Sequence, residues 1–214
     1  MTKIENIAFG LVGASGVGKG YVRDAFFKAY RGRFSESVVV TTRSRRPSDG
    51  PDRWCVKPPK FDEMVRSGDV IFEHKPFRND DMYGYLLSSL KSSISHVLVE
   101  PHVTKIPDFR KLYGENLVLL GLISDEDYLR RNLKGRGEGE IKTRLAAASE
   151  VERTLKEYRV SNTIDEMFYI THDTRRVIAD FVIMFAGTWL GLESNKPMGK
   201  SLSKFTFDEN SWTM

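Results

Sequence analysis

The feature that most constrains this fold is a glycine-rich loop at residues 13–20, which reads GASGVGKG. An apolar segment, 7–12, precedes it, and a segment with helical apolar spacing, 19–30, follows it. A strand, a glycine-rich turn and a helix in this order leave backbone N–H groups free at the helix N-terminus, where phosphate binds. The loop therefore predicts a nucleotide-binding α/β fold in which Lys19 reaches the outer phosphates.

Each residue of this loop is a candidate contact with the phosphates of a nucleotide: Gly13, Ala14, Ser15, Gly16, Val17, Gly18, Lys19 and Gly20. The residue after the lysine, Gly20, lacks the hydroxyl group that often binds Mg²⁺ in such loops. Mg²⁺ keeps several of its waters and binds substrate phosphates. We therefore expect no direct metal ligand from the protein, with Mg²⁺ held by the nucleotide phosphates and water.

Apolar runs and helical patterns alternate along the chain, which favours an α/β fold with a mostly parallel sheet. The predicted strands cover 7–12, 37–42, 70–73, 95–100, 116–123 and 167–171. The predicted helices cover 19–30, 61–66, 140–158 and 174–185, with two more between 100 and 116 and from 124 onward. Residues 43–59 are predicted to be irregular because they contain Asp49-Gly50 and Pro58-Pro59.

Composition narrows the choice of partner and location. The net charge of +4 is mild and is not gathered into one basic run, which argues against nucleic acid. The single cysteine, Cys55, excludes an intrachain disulfide and favours an intracellular protein. No segment reaches the roughly 20 apolar residues of a membrane span, and the first residues lack a signal-peptide pattern. A cytoplasmic protein without a membrane partner is expected.

Two further segments carry arginines suited to phosphate. Arg43 and Arg46 lie in TTRSRRP, and Arg136 lies in KGRG, with Arg144 on the predicted helix that follows. Guanidinium groups bind phosphate oxygens in a fork and stabilise charge on a phosphoryl group during transfer. Any one of these arginines could be an ordinary surface charge. Together with the phosphate loop, the arginine-bearing elements predict phosphoryl transfer.

These segments together resemble the guanylate kinase family. The resemblance runs from about residue 6 to residue 187, in the family's order, and rests on GASGVGKG, SVVVTTRSRRP, FDEMVRSGDVIFE, the Tyr83-Gly84 pair and NLKGRGEGEIKTRLAAA. It implies transfer of the γ-phosphoryl group of ATP to GMP or dGMP, with ATP and Mg²⁺ as cofactors and a nucleoside monophosphate as partner.

The resemblance also implies a domain organisation. A CORE around a parallel five-stranded sheet flanked by helices would cover 1–36 and 95–188, with a LID at about 134–145. A small lobe that binds the nucleoside monophosphate (NMP) would cover 37–94. Residues 189–214 would be a C-terminal extension. Its hydrophobic residues would pack on the CORE or on a partner subunit, so a homo-oligomer is one interpretation.

Residue roles follow from the same resemblance, in which loop residues 13–20 would hold ATP and its Mg²⁺. The implied catalytic set is Lys19, Arg43, Arg136 and Arg144. The implied acceptor-binding set is Arg43, Arg46, Glu73, Tyr83 and Glu100. Within it, Glu73 lies near the family's base-reading glutamate, Tyr83 at its phosphate-binding tyrosine, and Glu100 is the carboxylate left where the family has two aspartates.

Departures from the family concentrate where the acceptor base is recognised. They are Val39 for a serine, Arg53 or Trp54 for a tyrosine, and Tyr85 for a small hydroxyl residue. Two departures lie elsewhere, Asn132 for an arginine of the LID and Thr171 for the asparagine near adenine. We interpret Trp54 as a packing residue, with stacking on a base as the alternative. A site built to hydrogen-bond one base rejects others strongly. The reaction class is therefore better supported than the base, and a modified deoxynucleotide is an alternative acceptor.

Two other functions stay open at this point. The first is a related kinase that acts on a phosphorylated sugar such as ribose 1,5-bisphosphate, which the missing base contacts favour. The second is a non-catalytic guanylate-kinase-like interaction module. The retained Lys19, Arg136 and Arg144 argue against such a module.

Overall fold

A computed structural model describes residues 6–47, 49–76, 80–91, 95–134 and 138–191. Of Glu138 it describes the backbone alone. The strands are β1 Ala8–Gly13, β2 Phe34–Glu36, β3 Val39–Thr41, β4 Arg53–Cys55, β5 Val70–His74, β6 Tyr83–Leu86, β7 His96–Val99, β8 Leu117–Ile123 and β9 Glu166–Tyr169. The α-helices are α1 Lys19–Ala29, α2 Pro58–Ser67, α3 Leu87–Leu90, α4 Ile106–Tyr113, α5 Glu126–Asn132, α6 Glu138–Val160 and α7 Arg175–Trp189.

The larger sheet contains five parallel strands in the order β2-β7-β1-β8-β9. Its two central strands, AFGLVG and LVLLGLI, are almost entirely buried. Strands covered by helices on both faces are apolar on both faces, which explains these continuous runs. The predicted parallel five-stranded sheet is confirmed.

Alternate residues of β8 enter two different cores. Val118, Leu120 and Leu122 pack with α1 and α7 on one face of the sheet. Leu117, Leu119 and Ile123 pack with α4 on the other face. This alternation follows from the two-residue period of a strand.

The smaller sheet contains four strands in the order β4-β3-β6-β5. β3 and β4 are parallel, whereas β6 runs antiparallel to both β3 and β5. Helix α2 covers this sheet, placing Phe61 and Met64 against Val40 and Val70. Its strands span residues 39–86, while the larger sheet takes its strands from 8–36 and 96–169. The boundaries assigned to CORE, lobe and LID stay predictions.

Several local predictions are wrong in their bounds. Residues 43–59 are not wholly irregular, because they include β4 and the start of α2 at Pro58. The proline pair begins the helix, since its missing N–H groups have no intrahelical partner there and its φ is already helical. The strand predicted at 37–42 is reduced to Val39–Thr41, and strands β2 and β6 were not predicted.

The last helix is longer than predicted and ends at Trp189, whose side chain is 45% exposed. Leu190 packs against the core. The other hydrophobic residues of the predicted extension, Phe205, Phe207 and Trp212, lie outside the described residues. Within the described ranges, no helix combines the length and apolar character needed to cross a membrane.

Candidate active site

The phosphate loop joins β1 to α1 and takes a shape that requires glycine. Gly16 and Gly18 have φ values of 89° and 101°, in the left-handed region that favours glycine. A Cβ atom on Gly13 would lie 2.4 Å from the carbonyl oxygen of Leu122. The loop therefore curls closely over the end of β8, with its N–H groups at the start of α1.

Lys19 lies inside this loop. Its Nζ atom donates hydrogen bonds to the carbonyl oxygens of Gly13, at 2.9 Å, and Ala14, at 3.1 Å. Burial lowers the pKa of Lys19, and the carboxylate of Glu100 opposes that shift. The ammonium group is thus preorganised at the point where a phosphate would meet the loop N–H groups.

A cleft of about 430 Å³ opens beside the loop, a size typical of small-molecule sites. At one end, the guanidinium carbon of Arg175 lies 5.1 Å from the centre of the Tyr21 ring. Near the same cleft, the Asn132 amide donates to the carbonyl oxygen of Gly16 at 2.8 Å. Tyr21, in α1, and Arg175, in α7, were not predicted as site residues, because neither belongs to the glycine-rich motif and no local pattern marks a residue supplied by α7.

A continuous chain of polar contacts joins the loop to two arginines. Arg144 Nη1 donates to Ser15 Oγ at 2.7 Å, and its Nε and Nη2 atoms contact Glu140 Oε1 at 2.9 and 2.8 Å. The same Glu140 oxygen lies 3.3 Å from Arg46 Nη2. The structure therefore brings together Arg46 and Arg144, which are 98 residues apart in the sequence, around one carboxylate.

Glu140 was not predicted, although the sequence carries its signal. It precedes Arg144 by four residues, and acidic and basic residues at this spacing are neighbours on a helix. Arg136, the other arginine assigned to the LID, lies outside the described residues.

Arg43 is almost buried and is held by Asp49. Its Nη1 and Nη2 atoms donate to the two carboxylate oxygens at 2.8 and 2.6 Å, and the Arg46 backbone N–H donates to the same carboxylate at 2.7 Å. Hydrogen bonding with Arg43 holds the pKa of Asp49 at about 2, below its usual range. Asp49 therefore fixes the shape of the loop that presents both arginines.

The predicted acceptor residues are separated by the fold. Tyr83 lies on β6 close enough to Arg43 to influence its pKa, and Glu100 follows β7 and lines the cleft. Glu73, by contrast, is exposed. Val39 and Tyr85 lie in the core, at 5% and 2% exposure, so these two departures from the family lie behind the surface of the site.

Arg53 and Trp54, the two candidates for the position of the family's tyrosine, lie in different surroundings. Trp54 is 45% exposed, so its interpretation as a packing residue is wrong. Arg53 instead turns toward the site, with its Nε atom 3.3 Å from Asp52 and its charge lowering the pKa of Lys19. The parallel pairing of Val39 with Arg53 fixes this direction.

A charged cluster lies behind Glu100. Arg23 Nη1 is 3.3 Å from Glu36 and 3.8 Å from Asp52. Burial raises the pKa of Glu36 to about 7, with Arg23 opposing the shift and Asp52 and Glu100 adding to it. Within the residues that the structure describes, no group of three or more histidine, cysteine, aspartate or glutamate residues is arranged to hold a metal ion.

Comparisons with known proteins agree with this architecture. A family model described as guanylate kinase matches residues 8–174. A guanylate kinase of Lactiplantibacillus plantarum is 30% identical over 165 residues, covering 73% of this chain and 79% of the relative. A guanylate kinase of Streptococcus thermophilus is 29% identical over 174 residues, covering 78% and 82%. The crystal structure of guanylate kinase from Anaplasma phagocytophilum superposes with a TM-score of 0.62 at 17% identity, covering 87% of each chain.

Proposed function

This chain belongs to the guanylate kinase family, and from this premise we propose that it is an ATP-dependent nucleoside monophosphate kinase. The acceptor would be GMP or dGMP, or a related deoxynucleoside monophosphate, chemically modified ones included. The observation that carries the proposal is the contact chain Ser15–Arg144–Glu140–Arg46, which joins the phosphate loop to an arginine of the predicted acceptor lobe. Cations that two distant parts of the chain bring together beside the phosphate loop suit a reaction between two phosphate groups.

In the proposed reaction, an oxygen of the acceptor phosphate forms a bond to the γ-phosphorus of ATP. The bond from that phosphorus to the β–γ bridging oxygen breaks, leaving ADP and a nucleoside diphosphate. Such a transfer needs positioning and charge stabilisation more than covalent participation by the protein. Lys19 and the loop N–H groups would hold the donor phosphates, and Arg144 would neutralise charge on the phosphoryl group in transfer.

Arg46 and Arg43 would hold the acceptor phosphate, with Asp49 keeping the Arg43 guanidinium in place. Arg136 would act from the LID by resemblance alone, since it lies outside the described residues. When bound, Mg²⁺ would offset phosphate charge. Gly20 offers it no side-chain oxygen, so ATP and water would supply its ligands.

The test is ADP release measured over all common NMPs and dNMPs, with modified deoxynucleotides included. Lys19→Ala should reduce turnover by at least about 10²-fold, since it removes a charge from the transition state. The melting temperature should not fall, because burying a cation costs free energy and the substitution removes that cost. Lys28→Ala is the matched control on an exposed turn of the same helix.

Three results would separate the alternatives. A folded and fully active Lys19→Ala variant would refute the proposal. Turnover with ribose 1,5-bisphosphate and with none of the nucleotides would indicate a sugar phosphokinase. Failure to bind ATP in a calorimetric titration would indicate a non-catalytic module.

A further inference from the structure

A bulge in β5 changes which residue lies opposite Tyr83. The strand pairs Ile71 with Tyr85, and a regular continuation would pair Glu73 with Tyr83. The register instead shifts by one residue, so that His74 pairs with Tyr83. Phe72, within the shift, has a φ of 57°. A bulge re-aims the side chains that follow it, and it leaves the Glu73 side chain exposed.

His74 belongs to a cluster of four rings, three from the smaller sheet and one from the turn after β7. Its ring centre lies 6.0 Å from that of Tyr83, 5.9 Å from that of Tyr85 and 4.9 Å from that of His102. His102 follows β7 at the carboxyl edge of the larger sheet. The two histidines, both half-buried, therefore meet where the two sheets approach each other.

Tyr85 fixes the position of the second histidine. Its hydroxyl accepts a hydrogen bond from the His102 backbone N–H at 2.9 Å and donates to the Glu100 carbonyl oxygen at 3.1 Å. The Tyr85 side chain is 2% exposed, so these bonds form in the core. The turn that carries both Glu100 and His102 is thus attached to the smaller sheet.

Hydrogen bonds at Nδ1 assign a different tautomer to each histidine. His74 Nδ1 lies 3.0 Å from the Phe72 carbonyl oxygen, which can only accept, so the proton is on Nδ1. His102 Nδ1 accepts from the Thr104 backbone N–H at 3.4 Å and lies 2.8 Å from the Thr104 hydroxyl oxygen, which can donate to the same atom, so we assign its proton to Nε2. In neutral rings, His74 Nε2 is therefore an acceptor and His102 Nε2–H is a donor. In the described part of the chain, neither Nε2 atom has a hydrogen-bond partner.

The surroundings favour the neutral form of both rings. Burial lowers the pKa of His74. The hydrogen bond to the Phe72 carbonyl oxygen and the charge of Glu73 oppose that shift, and the charge of Lys105 adds to it. Burial, then His74, Lys19 and Lys105, lowers the pKa of His102 to about 4. At neutral pH the pair offers one acceptor and one donor rather than two positive charges.

We propose that His74 and His102 form the wall that recognises the acceptor base, with His74 Nε2 as acceptor and His102 Nε2–H as donor. This inference rests on the proposed kinase function. The wall lies near the phosphate-binding groups, since Tyr83 pairs with Thr41, two residues before Arg43, and Glu100, two residues before His102, lines the cleft with Lys19. Its ligand is a base whose six-membered ring carries a carbonyl next to an N–H group.

The identity of the two groups sets the selectivity. A carboxylate only accepts hydrogen bonds, so it can bind the ring N–H and the 2-amino group of guanine together. One acceptor and one donor match the ring N–H and the carbonyl, and leave a 2-amino group without a partner on the wall. Hypoxanthine offers the same two groups as guanine, whereas adenine offers them with donor and acceptor exchanged. The wall should therefore bind IMP about as well as GMP, and reject AMP.

The test is calorimetric binding of GMP, IMP and AMP without ATP, because binding does not depend on catalysis. Wild-type protein should bind GMP and IMP with dissociation constants within about threefold, and AMP about tenfold or more weakly. His74→Asn and His102→Asn keep a group in the place of Nδ1 and remove Nε2, so each should weaken GMP about tenfold. His74→Gln and His102→Gln keep a polar group near Nε2 and should restore much of the affinity. His96→Gln, at the opposite end of β7, is the matched control.

One further variant separates recognition from a purely structural role. His74→Glu places a carboxylate on the wall, so it should favour GMP over IMP by about tenfold. Wild-type affinity in both asparagine variants, or unchanged GMP/IMP discrimination in His74→Glu, would overturn the proposal. So would a loss of selectivity in Glu73→Gln alone. Nucleotide binding that depends on the histidines, without any turnover, would refute the kinase function but support recognition of the base by His74 and His102. Turnover that is unaffected by the histidine variants would support the kinase function and refute the role of the two histidines.

Discussion

Arg46 and Glu140 form an ion pair of 3.3 Å between the loop after β3 and the start of α6, across 94 residues of sequence. Glu140 also contacts Arg144, which reaches Ser15 of the phosphate loop. One carboxylate therefore offsets the charge of two arginines proposed to bind phosphates. A bound phosphate would have to compete with it.

Glu140→Gln should lower KM for the acceptor nucleotide. The pair with Arg46 is about 40% exposed, and such pairs contribute no more than about 1 kcal/mol, so the expected change is up to about fivefold. Arg144 keeps its bond to Ser15, so kcat should change little. Initial rates against acceptor concentration check this, with Glu150→Gln on the same helix as control. A higher KM together with a lower kcat would show that Glu140 positions the arginines instead.

Asp49→Asn should destabilise the protein and remove part of its acid sensitivity. It breaks a nearly buried bidentate pair with Arg43, at a cost of about 1–3 kcal/mol in the free energy of unfolding. The pKa of Asp49 is held at about 2, below its usual value of 3.8. Its contribution is therefore complete above pH 3.8 and is lost as pH falls through about 2.

Urea denaturation at pH 7 and at successively lower pH values measures this loss. Asp62→Asn, on an exposed turn of α2, controls for the removal of one negative charge. Equal stability of the two variants at pH 7 would mean that the Arg43–Asp49 pair contributes nothing net.

Glu36 should give the opposite pH dependence. Burial raises its pKa from 4.5 to about 7, so the folded protein binds this proton more tightly than the unfolded chain. The stabilisation is complete below pH 4.5 and is lost as pH rises through about 7. Glu36→Gln should flatten this slope, which amounts to no more than about 3 kcal/mol.

The measurement is the free energy of unfolding at successive pH values between 4.5 and 8. Glu115→Gln is the control, because a change of charge at this exposed site should not alter the slope of the free energy of unfolding against pH. An unchanged slope in Glu36→Gln would assign the pH dependence to another group.

Gly20 offers a matched test of the missing hydroxyl group. A Cβ atom at this position would meet no atom within 4 Å, so alanine and serine both fit. Gly20→Ala should raise the free energy of unfolding by up to about 1 kcal/mol, because it restricts the unfolded chain. Gly20→Ser adds the oxygen that commonly binds Mg²⁺.

Activity against Mg²⁺ concentration should therefore reach half-maximum at a lower concentration in Gly20→Ser than in Gly20→Ala, by about threefold or more. The two variants differ only in the hydroxyl group. Identical Mg²⁺ curves would show that residue 20 does not approach the metal.

Local patterns predicted the segments that depend on near neighbours. The phosphate loop, its flanking strand and helix, and the buried β8 follow from glycine placement and unbroken apolar runs. The proline pair at 58–59 carried a helix-start signal that the turn signals around it obscured. Strand β4 was missed because three residues show no usable periodicity.

The acceptor side depended on register. The residue types of β5 do not show that its pairing with β6 is irregular. In the structure the register shifts between Ile71 and His74, with Phe72 at a positive φ, so that Glu73 is exposed and His74 lies opposite Tyr83. A one-residue shift exchanges the faces of a strand.

The sequence by itself determined the fold class, the phosphate loop and the arginine-bearing segments. These follow from residue types and spacings within short segments, and they do not require knowledge of which distant side chains meet. Tertiary structure alone decided which side chains meet. It placed Glu140 between Arg46 and Arg144, buried Tyr85 beneath the 100–102 turn, and brought His74 against His102. Such contacts join residues up to 94 positions apart, and their distances depend on strand register and sheet packing, which no local pattern encodes.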